Sequence, residues 1–554
     1  MKLKLRISIV LLFAVNIMQA QDDKGTFNGN FSTNTQFFML DSSIGATTEL
    51  YQKQLVGTEA WLSTNYTQKG FTLQARFDLF NNSNLYDPST AYTGSGLGYW
   101  SISKDIDNLQ ITGGYFYEQF ATGTIFRAFE DRTLGLDYAI QGVRVKYNPF
   151  KDFKVKVFTG RQKFRFGVRD QNMRGANVEY AIRNKKETFS WEPGASILNR
   201  TIDNNTMAAI VSIVNDQPGI NQFYPKYNVY LFSFYNTICI KDFTIYAEYN
   251  GKTHEAVKDF INSPFPLVYR KGKVLFGSLS YTKTIKTKKG ALIGLGFNAQ
   301  YKQIDSFPAR TSPLEQNLFG QMNYLTSVTR QNTYRLLARY NAVVQELGER
   351  DFQADFTVSI KRKNKLKTII NVNASKVIKL DNSDLFHELY LEASHEFSKK
   401  FKLMLGIQNI GYNQQRYEIK GTDFPYVHAT TPFGEALYKF KIKNKQHAIR
   451  LESQYLSTKQ DLGSFINILA EWTMAPHFSL AVGDMYNIKP WRAPSSLIPP
   501  GKAHYYTFFG AYTHHATRFT LAYVKQVAGM NCTGGVCRVE PAFSGVKFTM
   551  STNF

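Results

Sequence analysis

The side chains best suited to metal or nucleophilic chemistry in this sequence are nine histidines and three cysteines, and their spacing organises neither. His387 and His395 share the apolar parity of one alternating stretch but lie eight residues apart, too far to hold one metal ion. His514 and His515 fall in a predicted short turn, where a solvated surface is their ordinary role. No H-E-x-x-H pair and no glycine-rich phosphate loop is present. A Ser or Asp nucleophile with a partner His cannot be assigned by spacing. The expectation is a non-enzymatic protein with no catalytic residue, metal or cofactor. Cys532 and Cys537 flank Thr533-Gly534-Gly535-Val536, so in an oxidising compartment they can close a small disulfide ring whose glycines permit the turn. Cys239 sits inside a strand pattern and reads as a plain buried thiol.

Charged residues show more order. Arg144 and Lys146, Lys154 and Lys156, Arg335 and Arg339, and Lys439, Lys441 and Lys443 occupy the polar parity of segments whose other parity is apolar. Glu388 and Glu392, with Glu396, share one parity of residues 385–397. If the apolar faces meet lipid, these groups line the interior of a barrel. They could make an anion-selective lumen with an acidic stripe. They could equally pair as Glu–Lys ladders across neighbouring strands, for which Lys400 and Lys402 are well placed.

The elements that must position them are strands. Phe71, Leu73, Ala75, Phe77 and Leu79 alternate with Thr72, Gln74, Arg76 and Asp78; Phe243, Ile245, Ala247 and Tyr249 alternate with Thr244, Tyr246, Glu248 and Asn250. The same reading makes a strand of residues 334–341, with Tyr334, Leu336, Ala338 and Tyr340 against Arg335, Arg339 and Asn341. Such segments run about ten residues, the span of a tilted membrane strand, whereas soluble sheets average five or six. Short connections such as Gln68-Lys69-Gly70 alternate with long ones at 82–95, 118–141, 184–204, 251–271, 302–332, 412–433, 486–502 and 528–541. Counting up and down from the two ends gives opposite parities between about residues 345 and 385, so one strand there is missed or in excess.

Composition agrees. The 554 residues are 43% hydrophobic and 15% aromatic, with 33 Tyr and 44 Phe, suited to strands and interfacial girdles. Mean hydropathy is −0.31, and no apolar run of helix-spanning length follows residue 20, which excludes membrane helices but not a barrel. The formal charge of +23 often signals nucleic acid. Export argues against that. Lys2, Lys4 and Arg6 precede an apolar segment, Ile7 to Val15, and Met18-Gln19-Ala20 is a plausible cleavage site, so residues 1–20 read as a secretory signal and 21–554 as the mature barrel. A basic channel or acidic lipid headgroups then account for the charge.

Residues 118–141 are too apolar for a solvated loop, with Ile125, Phe126, Phe129, Leu134 and Leu136. They could constrict the lumen, dock on a partner, or pack as an ordered structural loop. Val546, Phe548, Met550, Thr552 and Phe554 alternate with polar residues up to the last position. Phe548, Met550 and Phe554 resemble the C-terminal signal read by barrel-assembly machinery. Glu130-Asp131-Arg132-Thr133-Leu134-Gly135-Leu136-Asp137, followed by Gly142, and Asn531-Cys532-Thr533-Gly534-Gly535-Val536-Cys537-Arg538 resemble an uncharacterised family of Bacteroidota outer-membrane barrels. That resemblance implies barrel fold and outer-membrane location and supplies no activity.

The expectation is therefore an all-β chain. It forms one large antiparallel transmembrane β-barrel of about 22–26 strands, with short periplasmic turns, long extracellular loops and no plug domain. Its place is the outer membrane of a Gram-negative bacterium, among lipid and lipopolysaccharide, after insertion by the assembly machinery. The function expected is a porin-like channel with a basic lumen. The alternative is an accessory or scaffold subunit of an outer-membrane machine for barrel assembly or protein secretion, in contact with other envelope proteins and not with nucleic acid.

Overall fold

Alternation of side chains along nearly every segment builds a sheet with one apolar and one polar face, and closing that sheet on itself satisfies the backbone of its edges. A computed structural model of the chain describes residues 25–88, 90–186, 188–259, 263–421, 423–491, 501–533 and 536–554. The predicted signal segment, residues 1–20, lies outside them. The main sheet holds 25 strand segments among the described residues. Ile182–Arg183 continues Gly167–Tyr180 along the same neighbour, Phe189–Thr201, so the ring has 24 strands, all antiparallel to their neighbours. Closure comes from the first strand, Thr26–Phe38, pairing with the last, Phe543–Asn553, from Asn30 opposite Asn553 to Phe38 opposite Gly545. Beyond the ladder, Phe554 N–H donates to the Gly29 carbonyl (3.0 Å) and Gly29 N–H to that of Phe554 (2.8 Å). No edge is left. Strand lengths run from 8 residues (Leu109–Phe116) to 19 (Val268–Lys286).

Both ends of the described chain lie at the same rim, and that rim carries the short turns. At one of them Lys443 and Asn444 both have positive φ, 46° and 64°, the geometry of a two-residue hairpin turn. The opposite rim carries the long connections, among them residues 39–55, 117–139, 202–227, 306–347, 413–426 and 527–542. Residues 202–227 contain the helix Asn204–Asn215, capped by the Asp203 carboxylate on Thr206 N–H (2.9 Å).

The outer wall is apolar. Leu389, Leu405, Leu451, Ile468, Leu480, Phe508 and Leu521 are each more than half exposed there. So extended an apolar surface is foreign to water-soluble monomers and normal where strands face lipid. Phe71, Tyr147, Tyr180, Phe243, Tyr438, Phe478 and Tyr512 ring the wall near the turn rim, and Phe37, Tyr230, Phe352 and Tyr506 near the loop rim.

Two sequence expectations are corrected. Residues 334–341 are not a strand. Leu336 and Leu337 are both buried, which a one-sided strand does not allow, and Ala338 N–H bonds the Tyr334 carbonyl as in a helical turn. Their alternation reflects a segment covered on every side inside the barrel. Conversely, 184–204 is mostly the strand Phe189–Thr201, whose pattern Pro193, Gly194 and Ala195 obscure; Pro193 sits opposite Asn236 within the ladder. Between residues 345 and 385 the ring holds two complete strands, Gly348–Lys361 and Lys367–Ile378.

Candidate functional site

The site is the lumen, and two inserted connections fill its loop-side half. Residues 117–139 turn inward. Phe120, Ile125 and Phe126 pack on the inward-facing Phe158, Met173 and Leu198, with the Phe126 and Phe158 rings stacked 4.6 Å apart. The tip is tied to the wall where Thr122 Oγ1 donates to the Glu248 carboxylate (2.6 Å). Of the two open readings of this loop that concern the barrel itself, the structure combines both: an ordered loop that narrows the lumen.

Electrostatics hold it there. Glu118 draws together Lys146 (3.0 Å), Lys156 (3.3 Å) and Arg144 (3.4 Å). Three of the cations assigned to the lumen thus neutralise one loop carboxylate. Arg76 bridges Asp78 (2.7 Å), Glu130 (2.6 Å) and Asp137 (2.9 Å), and Lys163 joins Asp137 from the wall. Burial would raise the Asp137 pKa, but the charges of Lys163 and Arg76 outweigh it and hold the carboxyl below its usual range. The acidic ends of the Glu130–Asp137 motif are therefore an anchor.

Residues 306–347 go further and cross the barrel. On one side, Gln162 donates to the Gln321 carbonyl (2.7 Å), Arg200 to that of Thr311 (3.1 Å), and Lys252 to that of Pro308 (2.6 Å). On the other, Leu336 N–H donates to Gln454 Oε1 (2.7 Å), Gln408 to the Leu337 carbonyl (3.3 Å), and Tyr334 OH to Glu435 (3.0 Å). Gln162 belongs to Phe153–Phe164, the seventh strand of the ring, and Gln454 to Lys445–Thr458, the nineteenth. In a ring of 24 these are diametrically opposite. Glu435 marks the middle of the 16-residue strand Val427–Ile442, so the segment reaches half-depth. The two inserted connections also bind each other, with Tyr324 N–H on the Gly123 carbonyl (2.9 Å) and the Arg127 guanidinium over the Tyr324 ring (3.9 Å).

Arg335 and Arg339 therefore lie inside the barrel on this crossing segment, a plug made by one connection rather than by a separate domain, and not on the wall. Arg335 donates to the carbonyls of Tyr505 (3.3 Å) and Lys525 (3.2 Å). Arg339 meets Asp461 at 2.8 Å, where Lys420 (2.8 Å) and Tyr340 OH (3.1 Å) also converge. Burial works against the Asp461 charge, yet Arg339 and Lys420 keep its pKa well below the carboxylate range.

The other assigned lumen residues divide. Glu388 faces inward, buried, accepting from Gln408 (2.7 Å) and Asn332 (2.9 Å); Glu392 faces inward beside Arg330 (3.9 Å). Lys154 lines a cavity of about 520 Å3 beside the tip of the inserted loop at Ala121 and Thr122, with Glu179, Glu192, Tyr235 and Tyr246, so that wall is mixed in charge. Lys439 and Lys441 lie on the inward parity below the plug, exposed and without a carboxylate partner among the described residues. Lys443 is in a turn, at the rim rather than on the wall. A second cavity, of about 1140 Å3, lies among the long connections above the plug.

Cys532 and Cys537 are joined in a disulfide at the tip of the hairpin Gly529–Thr533 and Val536–Glu540, and Val536 packs on Leu134, Leu136 and Tyr138 of the inserted loop. Cys239 is half-buried rather than buried, with Thr244 Oγ1 3.6 Å from its sulfur. Phe548 and Met550 face outward, and the exposed Phe554 ring stands 6.3 Å from Phe27 across the seam. His387 stacks against Tyr426 on the outer wall and His395 bonds Thr368 (2.9 Å). Sequence reasoning missed Arg76, Asp461, Lys420 and the crossing segment. The available signal was the apolar content of residues 306–347, including Phe307, Met322, Leu325, Leu336 and Leu337, the test that did single out 118–141.

No curated protein matches the chain in sequence. Solved barrels resemble it. Pseudomonas aeruginosa OccK2 (OpdF) is 10% identical over 82% of this chain and 98% of that one, with a TM-score of 0.32. The P pilus usher (PapC) translocation pore is 8% identical over 95% and 99%, at 0.36. Acinetobacter baumannii OccAB3 is 7% identical over 96% and 98%, at 0.37. One family covers residues 1–554, and the chain belongs to it: the family of unknown function DUF6029.

Proposed function

We propose that this protein is a gated outer-membrane channel of a Gram-negative bacterium, closed in the present conformation and opened by withdrawal of residues 306–347. The apolar outer wall with aromatic rims supports the membrane placement. Short turns then face the periplasm and long connections the cell exterior. The observation that carries the gate is that one segment spans the lumen between opposite walls, and that hydrogen bonds and ion pairs that water can replace join apolar packing in holding it there. No reaction is part of this reading. Once open, the pore prefers anions, because Lys439 and Lys441 stand free on the exit path. A Bacteroidota source, insertion by barrel-assembly machinery and contact with lipopolysaccharide belong to the same reading.

The test is conductance in planar bilayers. Wild-type protein should stay mostly closed with rare large openings. A variant with residues 326–344 replaced by a short Gly/Ser linker should conduct steadily. Equal conductance of the two proteins would refute the gate. The filled lumen also favours a second reading, an accessory subunit whose barrel never opens. It forecasts no wild-type openings under any voltage, and co-purification with other envelope proteins.

A further inference from the structure

The cavity of about 1140 Å3 above the plug has walls that the channel reading leaves without a purpose. Apolar side chains reach it from four separate stretches of the loop rim: Phe164, Phe319, Ile419 and Val539. They remain 42%, 48%, 84% and 60% exposed although enough neighbours surround them to form a cavity. Ile419 has φ of 53°, a left-handed backbone that costs a β-branched residue energy, while its side chain gains no burial in return.

Cations of the cavity are mostly matched. Lys163 meets Asp137, Arg169 meets Glu315, Arg310 meets Glu346 and Lys379 meets Asp381. Arg538 is satisfied by Glu540 and by the carbonyls of Leu85 and Leu134. Two guanidiniums are left over. Arg165 lies above the Tyr92 ring at 4.4 Å, and Arg416 projects from the connection 413–426; neither has a carboxylate partner among the described residues.

We propose that this cavity binds an amphipathic organic anion, a molecule with a sizeable apolar body and a carboxylate or sulfonate group. A small inorganic anion would leave the apolar walls wet. A neutral apolar molecule would cover Arg165 and Arg416 without offering them an acceptor. The volume suits a ligand of drug-like size or somewhat larger. Val343 and Val344 of the crossing segment form part of the lining, so the bound molecule touches the plug.

Calorimetric titration of the whole protein in lipid nanodiscs tests this without reference to conductance. The probes are naphthaleneacetate, naphthalenemethanol and acetate. Naphthaleneacetate should bind saturably to one site, the alcohol about tenfold more weakly, and acetate not at all. The double variant Arg165→Gln, Arg416→Gln should bring the acid down to the affinity of the alcohol, and Ile419→Ser should weaken both aromatic probes. Heat-modifiable migration on gels verifies that each variant is a closed barrel. Absence of saturable naphthaleneacetate binding to wild type, equal affinity for acid and alcohol, or unchanged acid binding in the double variant overturns the proposal and leaves the gate untouched.

Discussion

Replacing Asp461 by Ala removes the group on which the far end of the plug is latched. Its carboxylate holds Arg339 and Lys420 at 2.8 Å each, and the Arg339 and Asp461 side chains retain only 11% and 4% of their exposure. Deleting one member of a buried pair strands the other in a medium that solvates it poorly, at roughly 3–5 kcal/mol. With the plug in place Arg339 bears that cost; with the plug withdrawn it is hydrated. Lys420 is on the barrel in both states and cancels in part. The closed-to-open ratio should then fall by about two to three orders of magnitude, at one order per ~1.4 kcal/mol. Single-channel recording reads the ratio directly as open probability, with Asp461→Asn, which keeps a hydrogen-bond acceptor, lying between. An open probability unchanged from wild type, in a variant that runs as a folded barrel, would refute the latch. The same group fixes a pH response. Arg339 and Lys420 depress the Asp461 pKa in the latched state, so the latch is fully present above the unlatched carboxyl's ordinary range, weakens as pH falls below that range, and is lost once pH has fallen through the depressed value. Open probability from this source should be flat between about pH 5 and 8 and rise only in strong acid.

Two further outcomes follow from named groups. In the linker variant lacking the plug segment, Lys439→Gln with Lys441→Gln should lower anion-over-cation permeability, read as a reversal-potential shift in a salt gradient; an unshifted potential removes the basic-path argument. Replacing Cys532 and Cys537 by Ser should loosen the hairpin by roughly 2 kcal/mol, given how few residues the ring encloses. Proteolysis of intact cells should then cut near residue 534 faster than in wild type, whereas equal cleavage rates would mean that Val536 and Arg538 alone hold it.

The wall of the barrel was legible because a strand with an apolar outer face and a polar lumen face writes a two-residue period into the chain, and Phe71 to Leu79 keep it without a break. Connections were legible wherever a turn demanded special residues, as at Lys69-Gly70. Phe189–Thr201 was lost because Pro193-Gly194-Ala195 gives neither face a strong character. Side-chain direction was also legible. Arg144, Lys146 and Lys156 do point inward, but what they meet there, Glu118, comes from a connection, and no periodicity relates the two.

The crossing segment shows why the lumen is the hardest part of such a chain to read. In a soluble protein, polar means outside and apolar means inside; in this barrel the order is reversed at the wall and reversed again within the plug. Arg335 and Arg339 were placed on the lumen side by the first rule, which assumes a strand with lipid behind it. Their apolar neighbours Leu336 and Leu337 instead face other protein on both sides, so charge and hydrophobicity lie next to each other with no surface between them. Such a segment resembles a strand in alternation and a loop in length. What distinguishes it is the bonding of its charges to fixed partners: Arg335 to two carbonyls, Arg339 to Asp461, Arg310 to Glu346. Permanent packing would be served as well by apolar residues of similar size, often with greater stability. Under the gate proposed above, contacts whose loss water can repay ease the departure of the segment, and here they stand beside the apolar packing of Phe307, Met322, Leu336 and Tyr340.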